Sequence, residues 1–579
     1  MPERPTDPQI QLEAAIHRAI RRALPDAPAD AEPMLRPASD PRFGDFQANA
    51  AMGLAKQLKR KPREVAEAIA AALGDAGGLL AGPAAVAGPG FLNLTLSAEA
   101  LGELAAGLDP TRPGEPTGTT VVVDYGSPNL AKEMHVGHLR SSVIGDALCR
   151  VLERRGDRVI RQNHIGDWGT QFGMLLEHLI ETGWADREGE DRAIGDLNEL
   201  YQQAKRRDDA DPAFAESARR RVVALQAGEP EARAFWRSLI GESLRHMNEV
   251  FARLGLLLDD GDLKPESAYN EALGPLCRRL ESGGHATRSD GALCVFVAGF
   301  ETPLIIEKSD GGHGYATTDL AAAAHRVKEL GGDRLVYVVD SRQREHFQKF
   351  FAAARDAGLA DAQTRMDHAA FGTILGPDKR PFKTRDGGTV KLTDVLDEAV
   401  EKATAVVAQK NPDLPADERE AVGRLVGIGA VKYADLSGDR VKDYVFDWGR
   451  MLALEGNTAP YLQYSYARIR SIFRKGGVDF EAADLPPIAA EAPAERALVL
   501  HLARYAATLD AVADSLEPHR LAAWAFELAT LYHRFYEACP VLKDGHEATR
   551  GSRLALSRLV AEALEDALGL LGIGVPERM

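Results

Sequence analysis

His135 and His138, with Val136 and Gly137 between them, are the residues of this chain whose types and spacing most directly suggest chemistry. They follow Ser127-Pro128-Asn129-Leu130-Ala131-Lys132-Glu133-Met134, at the point where a β-branched run, Thr120-Val121-Val122-Val123-Asp124, gives way to a helical pattern. Open α/β sheets bind ligands beyond the carboxyl ends of their strands. A helix N-terminus presents unpaired N–H groups and the positive end of a dipole, which suits a phosphate. Gly137 lets a flat base or sugar approach the backbone, and the two imidazoles can donate hydrogen bonds to phosphate oxygens as charge accumulates. Taken alone, the quartet leaves other readings open. H-x-x-H is half of a metal site, although no Cys, His or Glu follows at ligand spacing, and two histidines can simply cap a helix.

The surrounding pattern supplies a frame for these residues. The run at 120–124 predicts a buried strand, the periodicity of Leu139, Val143, Leu148 and Leu152 predicts a helix over 137–155, and Val159-Ile160-Arg161-Gln162-Asn163 predicts the next strand. Strand, helix and strand at this spacing form a βαβ unit and imply a parallel sheet. A highly charged helical segment, about 186–260, reads as an insertion. The sheet then resumes at 334–340, with a helix starting near Arg344. Leu12, Ile16, Ile20 and Leu24 at helical spacing, and Leu92, Leu94 and Leu96 on alternate positions, predict a small α+β unit at the front of the chain. From about 396 onward the sequence is helical in pattern, with Pro486-Pro487 dividing two groups of helices. The expected organisation is thus an α+β unit over 1–110, a Rossmann-like parallel-sheet domain over 118–395, and an all-α domain over 396–579.

Composition narrows the class. The chain has 579 residues, 45 % hydrophobic and 27 % charged, close to soluble globular averages. No window offers the ~20 apolar residues of a membrane span, and the polar N-terminus lacks a signal-peptide core, so a cytoplasmic protein without a membrane partner is expected. Cys149, Cys277, Cys294 and Cys539 form no C-x-x-C pair, which argues against a structural zinc site and against a disulfide framework. A net charge of −16 disfavours nucleic acid on average. Fields act locally, however, and basic clusters occur at 56–63, 205–207, 219–221 and 468–475. Each of these is also readable as a solvated helix face.

The longer string Ser127-Pro-Asn-Leu-Ala-Lys-Glu-Met-His135-Val-Gly-His138-Leu-Arg-Ser resembles the His-Ile-Gly-His signature of class I aminoacyl-tRNA synthetases, and specifically that of the arginyl enzymes. Further matches follow in order. Phe43-Gly-Asp-Phe46-Gln and Gly90-Phe-Leu-Asn93 resemble the N-terminal domain of that family, and Gly166-Asp-Trp-Gly-Thr-Gln-Phe-Gly173 its next loop. Tyr315-Ala-Thr-Thr-Asp319-Leu resembles its amino-acid pocket, and Asp340-Ser-Arg-Gln343-Arg-Glu-His346-Phe the strand end that closes the site. Asn457-Thr-Ala-Pro-Tyr461-Leu-Gln-Tyr464-Ser-Tyr466-Ala-Arg468 resembles the start of its anticodon-binding helices. The second class I signature, Lys-Met-Ser-Lys-Ser, is replaced by Pro381-Phe-Lys383-Thr-Arg385-Asp-Gly-Gly, a degenerate form that many arginyl enzymes carry.

The resemblance implies ligation of L-arginine to its tRNA. The amino-acid carboxylate attacks the α-phosphorus of ATP, magnesium pyrophosphate leaves, and the arginyl group passes to the terminal 2′-hydroxyl as AMP departs. His135, Gly137, His138, Lys132, Lys383 and Arg385 are then the expected groups around the phosphates. Asp124, Ser127, Asn129, Tyr315, Asp319 and Gln343 are expected to hold arginine, with Asp319 on the guanidinium and Asp124 and Asn129 at the amino end. Asp319 is otherwise readable as a helix N-cap, and Asn129 as a turn residue. Tyr461, Tyr464, Tyr466, Arg468, Arg470 and Arg474 are expected to meet tRNA, although aromatic residues at this spacing also suit a core. ATP with Mg2+ is the expected cofactor, no protein-bound metal is expected, and the partners are tRNA(Arg), L-arginine and ATP, acting on a monomer. The rivals are a non-catalytic RNA-binding homologue, a cysteinyl enzyme, whose zinc ligands are missing here, a glutamyl enzyme, whose pocket would need cations, and a small nucleotidyltransferase without the helical half.

Overall fold

The structure, a computed structural model, describes residues 8–38, 40–130, 133–167, 170–183, 197–382, 390–543 and 547–579. At its centre β1 (Thr120–Asp124) is buried at every position. A continuous β-branched run suits a parallel strand covered on both faces. A 3-10 turn (Val136–His138) opens α1 (Leu139–Arg155), which returns the chain to β2 (Arg158–Gln162), parallel to β1. The chain then leaves the sheet through α2 (Thr170–Glu181), α3 (Leu197–Ala210), α4 (Pro212–Ala227), α5 (Pro230–Leu254) and α6 (Asn270–Ser282).

A small antiparallel sheet follows, with β3 (Thr287–Ser289), β4 (Ala292–Val295) and β5 (Leu304–Glu307) in sequential order. Its strands are only three or four residues long and leave too short a pattern to be read from sequence. The chain rejoins the parallel sheet through α7 (Tyr315–Lys328), β6 (Arg334–Tyr337), α8 (Arg344–Asp356) and β7 (Arg365–His368). The order is β7-β6-β1-β2. Succession therefore reverses between β1 and β6, and this switch point is where an open parallel sheet presents a ligand crevice. Register aligns Asp124 with Gln162 on one side and Tyr337 on the other, so the strands end at a common level. β6 stops at Tyr337, short of the expected 340, because residues 341–343 turn into a 3-10 segment ahead of α8.

The remaining chain is mostly helical: α9 (Leu392–Lys410), α10 (Ala416–Leu436), α11 (Ala459–Gly476), α12 (Pro493–Ala503), α13 (Tyr505–Ser515), α14 (His519–Ala538) and α15 (Glu547–Leu570). A two-residue parallel pair, Ile374–Leu375 with Tyr444–Val445, departs from the purely helical expectation. Buried polar contacts bind this half to the sheet domain. The Arg140 guanidinium, just after the histidine turn, donates to Asp435 of α10 at 2.9 Å and to the Lys442 carbonyl, with both pair members almost fully buried. Lys432 donates to the Leu254 carbonyl at the end of α5. Removing one partner of such a pair strands a charge and costs about 3–5 kcal/mol. The N-terminal unit carries a four-stranded antiparallel sheet backed by helices, among them Pro8–Ala23, whose Leu12, Ile16 and Ile20 are buried as their spacing predicts. Arg496 of α12 ties it to the helical half through Asp45 at 2.6 Å.

Candidate functional site

Leu130, Met134 and Val136 point into the core and fix the backbone of the signature, leaving His135, Gly137 and His138 on the accessible side of the turn. The Gly137 N–H donates to Nδ1 of His135 at 3.0 Å, and the His135 N–H donates to Nδ1 of His138 at 3.1 Å. A ring that accepts at Nδ1 carries its neutral-form proton on Nε2. Both imidazoles are therefore set as Nε2 donors, with ring centres 4.0 Å apart. A Cβ on residue 137 would come within 2.7 Å of the His135 ring, so glycine is required by close approach. The segment is braced from one direction: Val136 N–H donates to the Val390 carbonyl, Leu392 N–H donates to the Met134 carbonyl, and Lys391 pairs with Glu133 at 2.9 Å. These braces directly follow the degenerate second signature. Ala131, Lys132, Lys383 and Arg385 lie outside the described residues.

Beside the histidine turn, acidic side chains stand at the ends of β1 and β6, where the switch point places the crevice. Asp124 is buried, and its two oxygens accept from Arg326 of α7 at 2.7 Å and from the Ser127 hydroxyl at 2.8 Å. Ser127 adopts φ 38, in the left-handed region, and its N–H donates to the Asn163 side chain. Such strain in a non-glycine residue persists only where its surroundings impose it. Asp124 thus acts as the anchor of this loop and of α7. Asn129 sits exposed beside Gly166, where a Cβ would meet its Oδ1 at 2.0 Å. Asp319 lies in the second turn of α7, which Gly314 caps, so the N-cap alternative is corrected. Its carboxylate is held by Nε2 of His346 at 2.6 Å, and His346 in turn packs edge-on against Tyr315, with ring centres 4.8 Å apart. Tyr315 is 65 % exposed, and Gln343 is exposed at the end of its 3-10 turn.

Sequence reasoning missed the acid that completes this crevice. Glu266 stands in a 3-10 turn (Glu266–Tyr269) directly after the insertion. Burial, the Asp319 charge and the Asp167 charge together push its carboxyl up to about 7. Asp167 builds that turn, accepting from both the N–H and the hydroxyl of Ser267. No local pattern marks Glu266, whose character comes from burial and from carboxylates far away in sequence. Around the same strand ends, Gln162 Oε1, His164 Nε2, Tyr269 Oη and Tyr337 Oη are buried without a hydrogen-bond partner among the described residues.

A second concave surface, of opposite charge, opens in the helical half. A cavity of about 600 Å³ is lined by Tyr464, Arg468, Arg474, Lys475, Tyr536 and Arg578, among others. The Arg468 guanidinium lies 4.9 Å from the Tyr536 ring centre and 5.8 Å from that of Tyr464, and both tyrosines are more than a third exposed. Two expected contacts are corrected. Tyr466 is 2 % exposed, with its hydroxyl bonded to Glu565 and Arg470, so it is a core residue. Arg470 is spent on Glu481, Glu577 and the Tyr466 hydroxyl, and covers the Phe480 ring. Tyr461, half-buried, packs against Phe526. The clusters at 205–207 and 219–221 are also largely paired, Lys205 with Asp209, Arg207 with Glu181, Arg219 with Glu216 and Arg221 with Glu177.

Residues 110–448 match the family model of the class I (R) tRNA synthetase catalytic domain, residues 462–579 the DALR anticodon binding domain, and residues 11–96 the arginyl tRNA synthetase N terminal domain. An arginine--tRNA ligase of Thermobifida fusca is 49 % identical, with 99 % of this chain and 100 % of the relative covered. One of Laribacter hongkongensis is 48 % identical, with 98 % and 100 % covered. The chain belongs to the arginyl-tRNA synthetases. The crystal structure of the Plasmodium falciparum arginyl-tRNA synthetase superposes with a TM-score of 0.81 at 27 % identity, covering 99 % of both chains. That of Thermus thermophilus does so with 0.78 at 28 % identity, covering 99 % of this chain and 100 % of its own. The crevice thus lies in the catalytic part of an arginyl-tRNA synthetase and the basic cavity in its anticodon-binding part. Among the described residues no helix is long and apolar enough to cross a membrane.

Proposed function

We propose that the crevice between β1 and β6 activates L-arginine with ATP and transfers it to tRNA(Arg), and that each residue acts as its chemistry dictates. The observation that carries this reading is the pairing of two Nε2 donors at a helix start with a carboxylate group, Asp319 and Glu266, at the same end of the sheet. A guanidinium needs fixed anionic acceptors, and charge-assisted hydrogen bonds of this kind are the strong ones. Asp319, held by His346, and Glu266 take the guanidinium, Tyr315 covers it, and Ser127, Asn129 and Gln343 receive the amino end. The arginine carboxylate is thereby directed at the α-phosphorus.

As the new P–O bond forms and pyrophosphate leaves, negative charge grows on the phosphoryl oxygens. The Nε2–H groups of His135 and His138 donate to those oxygens, and the start of α1 adds its dipole. Gly137 gives the nucleoside room. Lys132, Lys383 and Arg385 are assigned to the departing pyrophosphate from their places in the motifs. Mg2+ enters bound to ATP and shares that charge. The 2′-hydroxyl of the terminal ribose then attacks the arginyl carbonyl and AMP leaves. At the far end, Tyr464, Tyr536 and Arg468 offer stacking faces to unpaired bases, while Arg474 meets phosphate. The three units 1–110, 118–395 and 396–579 divide as tRNA contact, chemistry and anticodon reading, in a cytoplasmic monomer. Pyrophosphate exchange and charging, run with each of the twenty amino acids with and without tRNA, test the reading. Charging with arginine alone is expected, and charging with another amino acid in its place would overturn it.

A further inference from the structure

Three metal-binding side chains of three types meet at the edge of the small antiparallel sheet. Cys277 comes from α6, Glu307 ends β5, and His313 stands in the turn that leads into α7. Their donor atoms all lie within 4.8 Å of one another. The Cys277 sulfur is 3.8 Å from Nδ1 of His313. Zinc binds thiolate at about 2.3 Å and imidazole at about 2.0–2.1 Å, so the sulfur-to-nitrogen edge of a tetrahedral site is about 3.5–3.6 Å. The observed separation is within a few tenths of an ångström of that edge, a shift that a small side-chain rotation supplies.

A second observation points the same way. The Ile306 carbonyl accepts from the Thr317 hydroxyl, from Cys277 at 3.7 Å and from His313 at 3.3 Å. A carbonyl oxygen has two lone pairs, and three donors converging on it leave the thiol and the imidazole with long, poor bonds. A cation between sulfur, Nδ1 and carboxylate replaces those two protons with two strong bonds. Thiolate, imidazole and carboxylate together suit zinc, which is held in open sites by three protein ligands and a water.

We propose that Cys277, Glu307 and His313 bind a divalent cation of the zinc class. The site lies two residues before Tyr315, so an ion there clamps the turn that delivers the helix carrying Tyr315 and Asp319. One side chain opposes it. Arg288 donates to Glu307 at 2.9 Å and to Glu281 at 3.1 Å, and so competes with the ion for the Glu307 carboxylate.

The test uses the full-length protein titrated with Co(II), read by its thiolate-to-cobalt charge-transfer band and tetrahedral ligand-field bands, then displaced with Zn(II). The bands should appear in the native protein and in Cys294→Ser, and vanish in Cys277→Ser and in His313→Gln. Arg288→Gln, which removes the competing cation, should tighten cobalt binding several-fold. If Cys277→Ser fails to fold by circular dichroism, His313→Gln on the half-buried turn decides alone. No thiolate–cobalt band in the native protein, or a band that survives His313→Gln, would overturn the proposal.

Discussion

The acidic crevice and the helical cavity are built on opposite electrostatic plans within one acidic chain. The crevice gathers Asp124, Asp167, Glu266 and Asp319 around strand ends, with the buried guanidinium of Arg326 paired with Asp124. The cavity gathers Arg468, Arg474, Lys475 and Arg578 around two exposed tyrosines. A net charge of −16 describes neither. The lesson is that ligand charge is matched locally, over distances comparable to a Debye length of about 8 Å at physiological salt. The two regions also spend their cations differently. In the crevice a buried arginine holds a carboxylate in place, whereas in the cavity some arginines are tied to acids and others are arranged around the opening.

The largest effect should come from the histidine turn, which serves the phosphates and not the charge contrast itself. His138→Ala or His135→Ala should lower adenylate formation by about 10²–10³-fold, the loss of one preorganised donor, with circular dichroism unchanged. Next is the acidic pole. Asp319→Asn keeps shape and removes one charge, so arginine affinity should fall by about 1.5–3 kcal/mol while the ATP KM holds. An unmoved arginine KM would remove Asp319 from the guanidinium.

The same pole predicts a pH dependence. With its carboxyl pushed up to about 7, Glu266 is protonated below that pH and offers the guanidinium no charge; above it the carboxylate forms. Arginine KM should therefore fall as pH rises through about 7, and arginine binding below that pH should release a proton. Glu266→Gln should raise the KM and flatten its profile, whereas a profile that persists in the variant would assign the titration elsewhere.

The basic pole is tested by salt. Replacing Arg468 and Arg474 together with Gln should flatten the slope of log K for tRNA against log salt by about one to two units, since each phosphate contact contributes about 0.7–0.9. Arg470→Gln separates the two kinds of arginine. It should leave that slope alone and lower thermal stability, by about 1–3 kcal/mol, because Glu481, Glu577 and the Tyr466 hydroxyl lose their donor. Smallest of all, Tyr466→Phe should cost about 1 kcal/mol of stability and leave charging unchanged.

Much of this was legible in the residues themselves. The β-branched run at 120–124 demanded a strand covered on both faces, the helical spacing after His138 demanded α1, and glycine between two histidines marked a place where backbone must be approached. Those are local properties, set by side-chain branching, periodicity and backbone sterics, and they survive without knowledge of the rest of the chain. Tertiary structure decided the remainder. Tyr464 and Tyr466 are two residues apart, about 200° around a helix, and only the packing of α15 against α11 shows which one is buried. Arg468, Arg470 and Arg474 look alike in sequence, and only the folded chain shows that the Glu481 and Glu577 carboxylates pair with Arg470 while Arg474 donates to the Glu577 carbonyl. Glu266 becomes a site residue because the switch point between β1 and β6 brings Asp319 near it, and Cys277 meets His313 because α6 packs beside the turn into α7. Electrostatic fields and ligand geometry depend on separation in space, and the sequence records only separation along the chain.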